Sequence, residues 1–149
     1  MMEIRIAHPS QAKAIALMSR RFIEFGLGWS WRPQRVASFI ANPEAVVLVA
    51  MASSGIAGFA IMEFFDAHAH LNLMAVHPDF QHKGVGRDLL DWLDESARVA
   101  GIESVIVEVR VSNTGGRRFY RRAGYREIVH LRGYYAHRES ALRMLRDPN

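Results

Sequence analysis

The chain has no cysteine among its 149 residues. Disulfide bonds and a thiol nucleophile of the protein's own are therefore excluded, which agrees with a reducing, cytoplasmic address. No apolar run approaches the ~20 residues of a membrane-spanning helix. The opening Met1-Met2-Glu3-Ile4-Arg5 has no secretory apolar core. Internal repeats, linkers and low-complexity tracts are also missing, so one domain over residues 1–149 is expected. His-Glu-x-x-His does not occur; His68 and His70 alternate on one strand face without a third ligand, and no metal is expected. The formal net charge is +4, with no helix-turn-helix, zinc-finger or RNA-binding-sheet signature beside it. That charge reads as a solvated basic surface, with no nucleic-acid partner.

What the chain does hold is a glycine-bearing junction, Gln81-His82-Lys83-Gly84-Val85-Gly86-Arg87. The extended run Leu71-Asn72-Leu73-Met74-Ala75-Val76 precedes it, and an amphipathic run from Val85 to Ala100 follows. The first N–H groups of a helix lack intrahelical partners, and the helix dipole adds positive potential there. With glycine allowing close approach, such a junction suits a phosphate or pyrophosphate. It is neither a P-loop nor a dinucleotide fingerprint, because position 89 is Leu and no Gly-Lys-Ser/Thr occurs.

The remaining pattern is α/β. Glu3 to Ala7 alternates as a strand, and apolar residues recur at helical spacing from Ala12 to about Glu24. Pro33 opens a second helix that ends near Asn42. Ala45 to Met51, Ile56 to Phe65 and His68 to Val76 read as three antiparallel strands. In the helix from Val85, the predicted inward face holds Val85, Leu89, Trp92, Leu93, Ala97 and Ala100, with Asp91, Asp94, Glu95 and Arg98 in water. Ser104 to Val111 is the next strand, its valines on one face and Glu108 and Arg110 on the other. A helix capped by Ser112 or Asn113 ends at Gly124. A hairpin closes the pattern: Tyr125 to Arg132, a loop with Tyr134 and Tyr135, then Glu139 to Leu145.

Two stretches carry a family resemblance. "MAVHPDFQHKGVGRDLL" closely resembles the pyrophosphate loop of the GNAT superfamily of N-acetyltransferases, and "EVRVSNTGGRRFYRRAGYREI" resembles its second signature. Asn113, Phe119, Tyr120 and Gly124 match that signature, while Gly116 stands for the usual Ala and Tyr125 for the usual Phe. The tail "GYYAHRESALRML" is similar to the ribosomal-protein alanine N-acetyltransferases within the superfamily; Phe25 to Arg35 fits that branch poorly.

The resemblance implies a GNAT fold: a mixed, mostly antiparallel sheet of six to seven strands, about four helices, and a splay at the cofactor site. It implies acetyl-coenzyme A as co-substrate, with its pyrophosphate on the N–H groups of His82, Lys83, Gly84, Val85, Gly86 and Arg87, and Gln81 leading in. Backbone of Met74, Ala75 and Val76 would meet the acetyl oxygen, and Asn113 the pantetheine arm. One of Arg117, Arg118, Arg121 and Arg122 would meet the 3′-phosphate.

Glu108 is the candidate base. Partial burial is expected to raise its pKa toward a useful range, and the bland alternative is an ion pair with Arg110. Tyr120 is the candidate acid for the leaving sulfur; the alternative is a core aromatic. Trp29, Trp31, Tyr134 and Tyr135 are the candidate acceptor walls, with core packing as the equal alternative for the tryptophans. The nearby Arg32, Arg35, Arg132, His137 and Arg138 outnumber the acids Glu24 and Glu139, which favours a peptide over a polycation. The expected function is acetyl transfer to a primary amine, a protein or peptide N-terminal α-amine foremost, by a monomer or homodimer. The alternatives are a small-molecule amine acetyltransferase, a non-catalytic coenzyme-A-binding regulator and a nucleic-acid-binding module.

Overall fold

In the computed structural model, which describes residues 2–135 and 138–149, seven strands form one sheet in the order β1-β2-β3-β4-β5-β7-β6. The strands are β1 (Glu3–Ile6), β2 (Ala45–Ala52), β3 (Gly55–Phe64), β4 (His68–Val76), β5 (Ser104–Arg110), β6 (Arg126–Tyr135) and β7 (Glu139–Arg146). The helices are α1 (Ala12–Phe22), α2 (Pro33–Ala41), α3 (Val85–Val99) and α4 (Thr114–Arg122). Every neighbouring pair is antiparallel except β4 and β5, which α3 connects in parallel. This is the expected mixed sheet. His137 of the predicted acceptor rim lies outside the described residues.

The two faces bury different cores. Leu89, Leu90, Leu93 and Ala97 of α3 pack with Leu48, Met62, Leu71 and the β5 residues Val105, Val107 and Val109. On the other face, Ile15 and Ala16 of α1 and Val36 of α2 pack with Val47, Val49, Phe59 and Ile61. The alternation of β2 and β3 thus feeds both cores, as expected of strands covered on both faces.

β4 carries a bulge that serves both cores. Ile61 stands opposite Leu73 and Met62 opposite Leu71, so Asn72 is the extra residue. An inserted residue reverses the side-chain alternation beyond it. Ala69 and Leu71 accordingly belong to the α3 core, whereas Leu73 belongs to the α1–α2 core.

Three expectations are corrected. Asp94 of α3 is buried and bonds Arg146 Nη1 at 2.6 Å, because β7 brings that arginine over the helix. Ala100 is exposed past the helix end, and Trp92 is only half-buried against the core. β6 runs on through Tyr135, so Tyr134 and Tyr135 are strand residues and not loop residues.

Candidate active site

β4 and β5 pair only from His68 opposite Ser104 to Leu71 opposite Val107. Beyond that, β4 stays with β3 as far as Val76 opposite Gly58, and β5 stays with β7 as far as Arg110 opposite Ala141. The strands therefore part just after Leu71, and Met74, Ala75 and Val76 have an edge that β5 does not cover. The predicted splay is present.

The glycine junction stands at the top of this gap. A 3-10 turn over Pro78–Phe80 leads out of β4, and Gln81 Nε2 donates to the Val76 carbonyl at 3.0 Å, tying the loop to the strand end. His82 and Gly84 both take positive φ, 62° and 86°. Gly84 is the residue before the helix, where a side chain would be strained. The first helical bond is Asp88 N–H to the Gly84 carbonyl at 3.0 Å. Among the described residues, the N–H groups of His82 to Arg87 have no backbone acceptor. They form a row of unpaired donors at the positive end of a 15-residue helix, an anion cradle.

Glu108 lies beside the gap with its side chain 6% exposed. Arg143 Nε donates to its Oε2 at 2.9 Å, His70 Nε2 bonds its Oε1, and the Tyr134 hydroxyl donates to the same oxygen at 3.4 Å. Burial alone would push the carboxyl pKa up, but the hydrogen bonds and charges of His70 and Arg143 outweigh it and hold the pKa below the usual glutamate value. The expected upward shift is thus reversed. The alternative of an ion pair with Arg110 is not what the structure holds: Arg110 donates to Glu139 at 3.0 Å and to the carbonyls of Ile23 and Phe25 at 2.7 and 2.8 Å. It pins the segment after α1 to β5.

Tyr120 sits in α4 with its ring buried, edge-on to Phe119 and Tyr125 at 5.2 and 5.4 Å between centroids. Burial, then the neighbouring Tyr125 and Tyr135, pushes its phenol well above the ordinary value. Tyr134 and Tyr135 meet edge to face at 4.9 Å, and Arg110 lies 5.8 Å from the Tyr135 ring. Glu108 is thus bonded to Tyr134, Tyr135 lies against Tyr134, and Tyr120 is near enough to Tyr135 to feel its charge, from three separate elements.

The tryptophans do not form an open wall. Trp31 is buried in the α1–α2 core, tilted on Phe39 at 4.9 Å with Arg35 over its ring at 3.8 Å. Trp29 is half-buried; its Nε1 donates to the Ala16 carbonyl at 3.1 Å and Arg32 covers its ring at 4.6 Å. The Glu24 carboxylate closes this loop, accepting from Ser19, from the N–H and hydroxyl of Ser30, and from Trp31 N–H. Asn113 caps α4 by accepting from Gly116 N–H at 2.9 Å, which leaves its Nδ2. Arg117 and Arg121 both pair with Glu127; Arg118 and Arg122 make no ion pair among the described residues.

Three residues of the site escaped the sequence reading. His70 is no solvated strand residue but a partner of Glu108; its strand face was visible, its partner was not. Arg143 faces Glu108 only through the β5–β7 register. Asn72 Oδ1 is buried without a hydrogen-bond partner at the bulge, and nothing in the sequence marks a bulge there. No group of three or more potential metal ligands occurs among the described residues, and no helix there is long and apolar enough to cross a membrane.

This loop, splay and helix arrangement matches a known family: the family model for the acetyltransferase (GNAT) domain matches residues 43–127. The chain belongs to the GNAT acetyltransferase family. The matched GNAT segment runs from just before β2 to the start of β6 and so includes the cradle, Glu108 and Tyr120. A [ribosomal protein bS18]-alanine N-acetyltransferase from Salmonella typhimurium is 37% identical over 84 residues, 56% of this chain and 57% of that protein. An uncharacterized N-acetyltransferase from Methanocaldococcus jannaschii is 32% identical over 99 residues, 66% of this chain and 64% of that protein. The match thus spans little more than half the length of the Salmonella GNAT relative. The crystal structure of the ribosomal-protein-S18-alanine N-acetyltransferase from Escherichia coli superposes with a TM-score of 0.85 at 28% identity, covering 100% of this chain and 95% of that one.

Proposed function

We propose that this protein transfers the acetyl group of acetyl-coenzyme A to a protein or peptide N-terminal α-amine. The observation that carries the reading is the row of unpaired N–H groups from His82 to Arg87, set at the open end of the splay. Its donors fit a pyrophosphate, and the uncovered edge of Met74 to Val76 fits an amide-bearing arm that runs down the gap. The names of the Salmonella and Escherichia coli relatives support a protein α-amine as acceptor.

Acetyl-coenzyme A would supply the thioester. Gln81 holds the loop in place against β4, and the loop N–H groups bind the anion. Asn113 Nδ2 is free to donate to the pantetheine arm, and Arg118 or Arg122 to the 3′-phosphate. A backbone N–H of Met74 to Val76 stabilises the oxygen as charge gathers on it. Glu108 and the His70 bonded to it serve the removal of the amine's proton. Tyr120 keeps its hydrogen and donates it as a hydrogen bond to the departing sulfur. A thiol titrates near 8.5, so full transfer from a phenol held above its ordinary 10 is uphill and a donated bond suffices. Tyr134, Tyr135 and Trp29 border the acceptor side.

Thiol release with a panel of free and N-terminally blocked peptides tests this. Release that needs both acetyl-coenzyme A and a free α-amine is expected. Tight coenzyme A binding without turnover on any amine would instead make the chain a coenzyme-A-binding regulator.

A further inference from the structure

We propose that His70, through its Nδ1, takes the proton from the attacking amine, and that Glu108 acts by holding the His70 ring. The inference rests on the acetyl-transfer reading above and names the proton acceptor within it. Glu108 is poorly placed to accept a proton itself. Its side chain is 6% exposed, and its oxygens already receive bonds from Arg143, His70 and Tyr134. The acceptor site left on Oε2 is buried with the rest of the side chain, so an amine does not reach it from solvent.

His70 is the reachable member of the pair, with its side chain 27% exposed. It stands opposite Ile106, one residue pair before the last rung that joins β4 to β5, at the foot of the splay. An ionised carboxylate only accepts hydrogen bonds, so the Nε2 that meets Glu108 Oε1 carries the ring hydrogen. The lone pair is then on Nδ1. Nδ1 has no bonding partner among the described residues, and the only buried unpartnered side-chain polar atom there is Asn72 Oδ1. Nδ1 therefore opens to solvent. The arrangement is carboxylate, imidazole, then a free nitrogen, as in triads where an acid orients a histidine base.

The step balances as follows. The neutral amine nitrogen forms a bond to the acetyl carbon, and the carbon–sulfur pair leaves with the sulfur. The extra proton on nitrogen passes to Nδ1, directly or through one water, and then to solvent. The thiolate accepts the Tyr120 hydrogen bond and takes its proton from solvent. The charged and titratable groups facing His70 are Glu108 of β5, with Arg143 of β7 and Tyr134 of β6 behind it, Glu63 opposite in the β3 register, and His68 on β4 itself.

Two measurements test the assignment: kcat/KM against pH with an N-terminal peptide for wild type and His70→Gln, and nitrogen-15 spectra of the wild-type imidazoles. In wild type, log kcat/KM should fall on the acid side with a limiting slope of two, since both the α-amine and His70 must be neutral. His70→Gln should show a slope of one and a kcat lower by about 100-fold, with KM nearly kept. The spectra should show the neutral His70 ring protonated at Nε2. A His70→Gln enzyme that keeps the slope of two, or a kcat within about threefold of wild type, overturns the proposal while the transferase reading stands. A ring protonated at Nδ1 overturns it as well, and decides the matter even if the variant fails to fold. Wild-type protein that acetylates no amine removes the transferase reading and this step with it.

Discussion

Phe119 of α4 reaches the first turn of α3 with the tip of its ring: a Cβ on Gly86 would stand 3.1 Å from the ring's Cζ and 3.2 Å from Cε1. The two glycines of the cradle thus answer to different causes. Gly84 has open space around it and is required by its φ of 86°, whereas Gly86 is required by a neighbour. The contact joins the second family signature to the phosphate loop, so the helix bearing Tyr120 is braced by the loop that would hold the cofactor.

Substitution should separate the two causes. Gly84→Ala should cost about 1–2 kcal/mol of stability through backbone strain and should weaken coenzyme A binding. Gly86→Val should also displace Phe119, loosen α4 and lower kcat through Tyr120. Calorimetric titration with coenzyme A and thermal melts provide the check. Unchanged cofactor affinity in both variants would remove the anion cradle from the site.

Tyr120→Phe should lower kcat by about 10- to 100-fold with little change in acceptor KM, since it deletes a bond made to the leaving sulfur. Burial raises the phenol above its ordinary value of about 10, so the hydroxyl keeps its hydrogen below that pH. Wild-type kcat should therefore show no loss from Tyr120 ionisation between pH 8 and about 10. A decline in that range that Tyr120→Phe abolishes would contradict the buried, protonated phenol.

Arg146 and Asp94 make a pH-dependent pair. The Asp94 carboxyl is pushed up by burial even though Arg146, hydrogen-bonded to it, pulls it down. Arg146→Met leaves that carboxylate buried and alone, which should cost about 3 kcal/mol near neutral pH. A raised folded-state pKa means that the folded chain binds the proton more tightly, so the loss should shrink as pH falls toward 5. Urea melts of both proteins at two pH values will show this. A gap that widens on acidification would contradict the sign.

The contrast between Gly86 and Asp94 tells what was legible. Local chemistry was: the junction after Val76, the caps at Pro33 and Asn113, and the alternation of Val105, Val107 and Val109 all stand in the structure where local patterns put them. What failed depended on long-range register. Asp94 was assigned to water by helical periodicity, but Arg146 lies 52 residues away in sequence. Arg110, two residues on, was the alternative partner weighed for Glu108, whereas the β5–β7 ladder sets Arg143 directly opposite it. The pKa direction followed the partners, so two missed contacts, His70 and Arg143, inverted the electrostatics. Trp31 was left open between wall and core, and only the Phe39 and Arg35 contacts decide for the core.

The acceptor's charge is the last matter the site bears on. A polyamine needs carboxylates free to meet its ammonium groups, and the two acids near the acceptor side are both committed. Glu24 is held by Ser19, Ser30 and Trp31, and Glu139 by Arg110 and Ser112. Glu108 is likewise bound by Arg143 and His70. Arg138 and Arg110 instead tie down the segment after α1 through its carbonyls, at 3.1 Å to Gly26 and 2.8 Å to Phe25, and leave a rim of positive sign. Such a rim repels a polycation and accepts a neutral or acidic peptide. A short peptide with a free N-terminus should thus exceed spermidine in kcat/KM by at least tenfold, about 1.4 kcal/mol of transition-state preference, and the margin should narrow as salt screens the rim. Steady-state kinetics on a matched panel at low and high ionic strength will measure it. Spermidine as the better acceptor, or acetylation that survives blocking of the peptide's α-amine, would overturn the assignment of the acceptor.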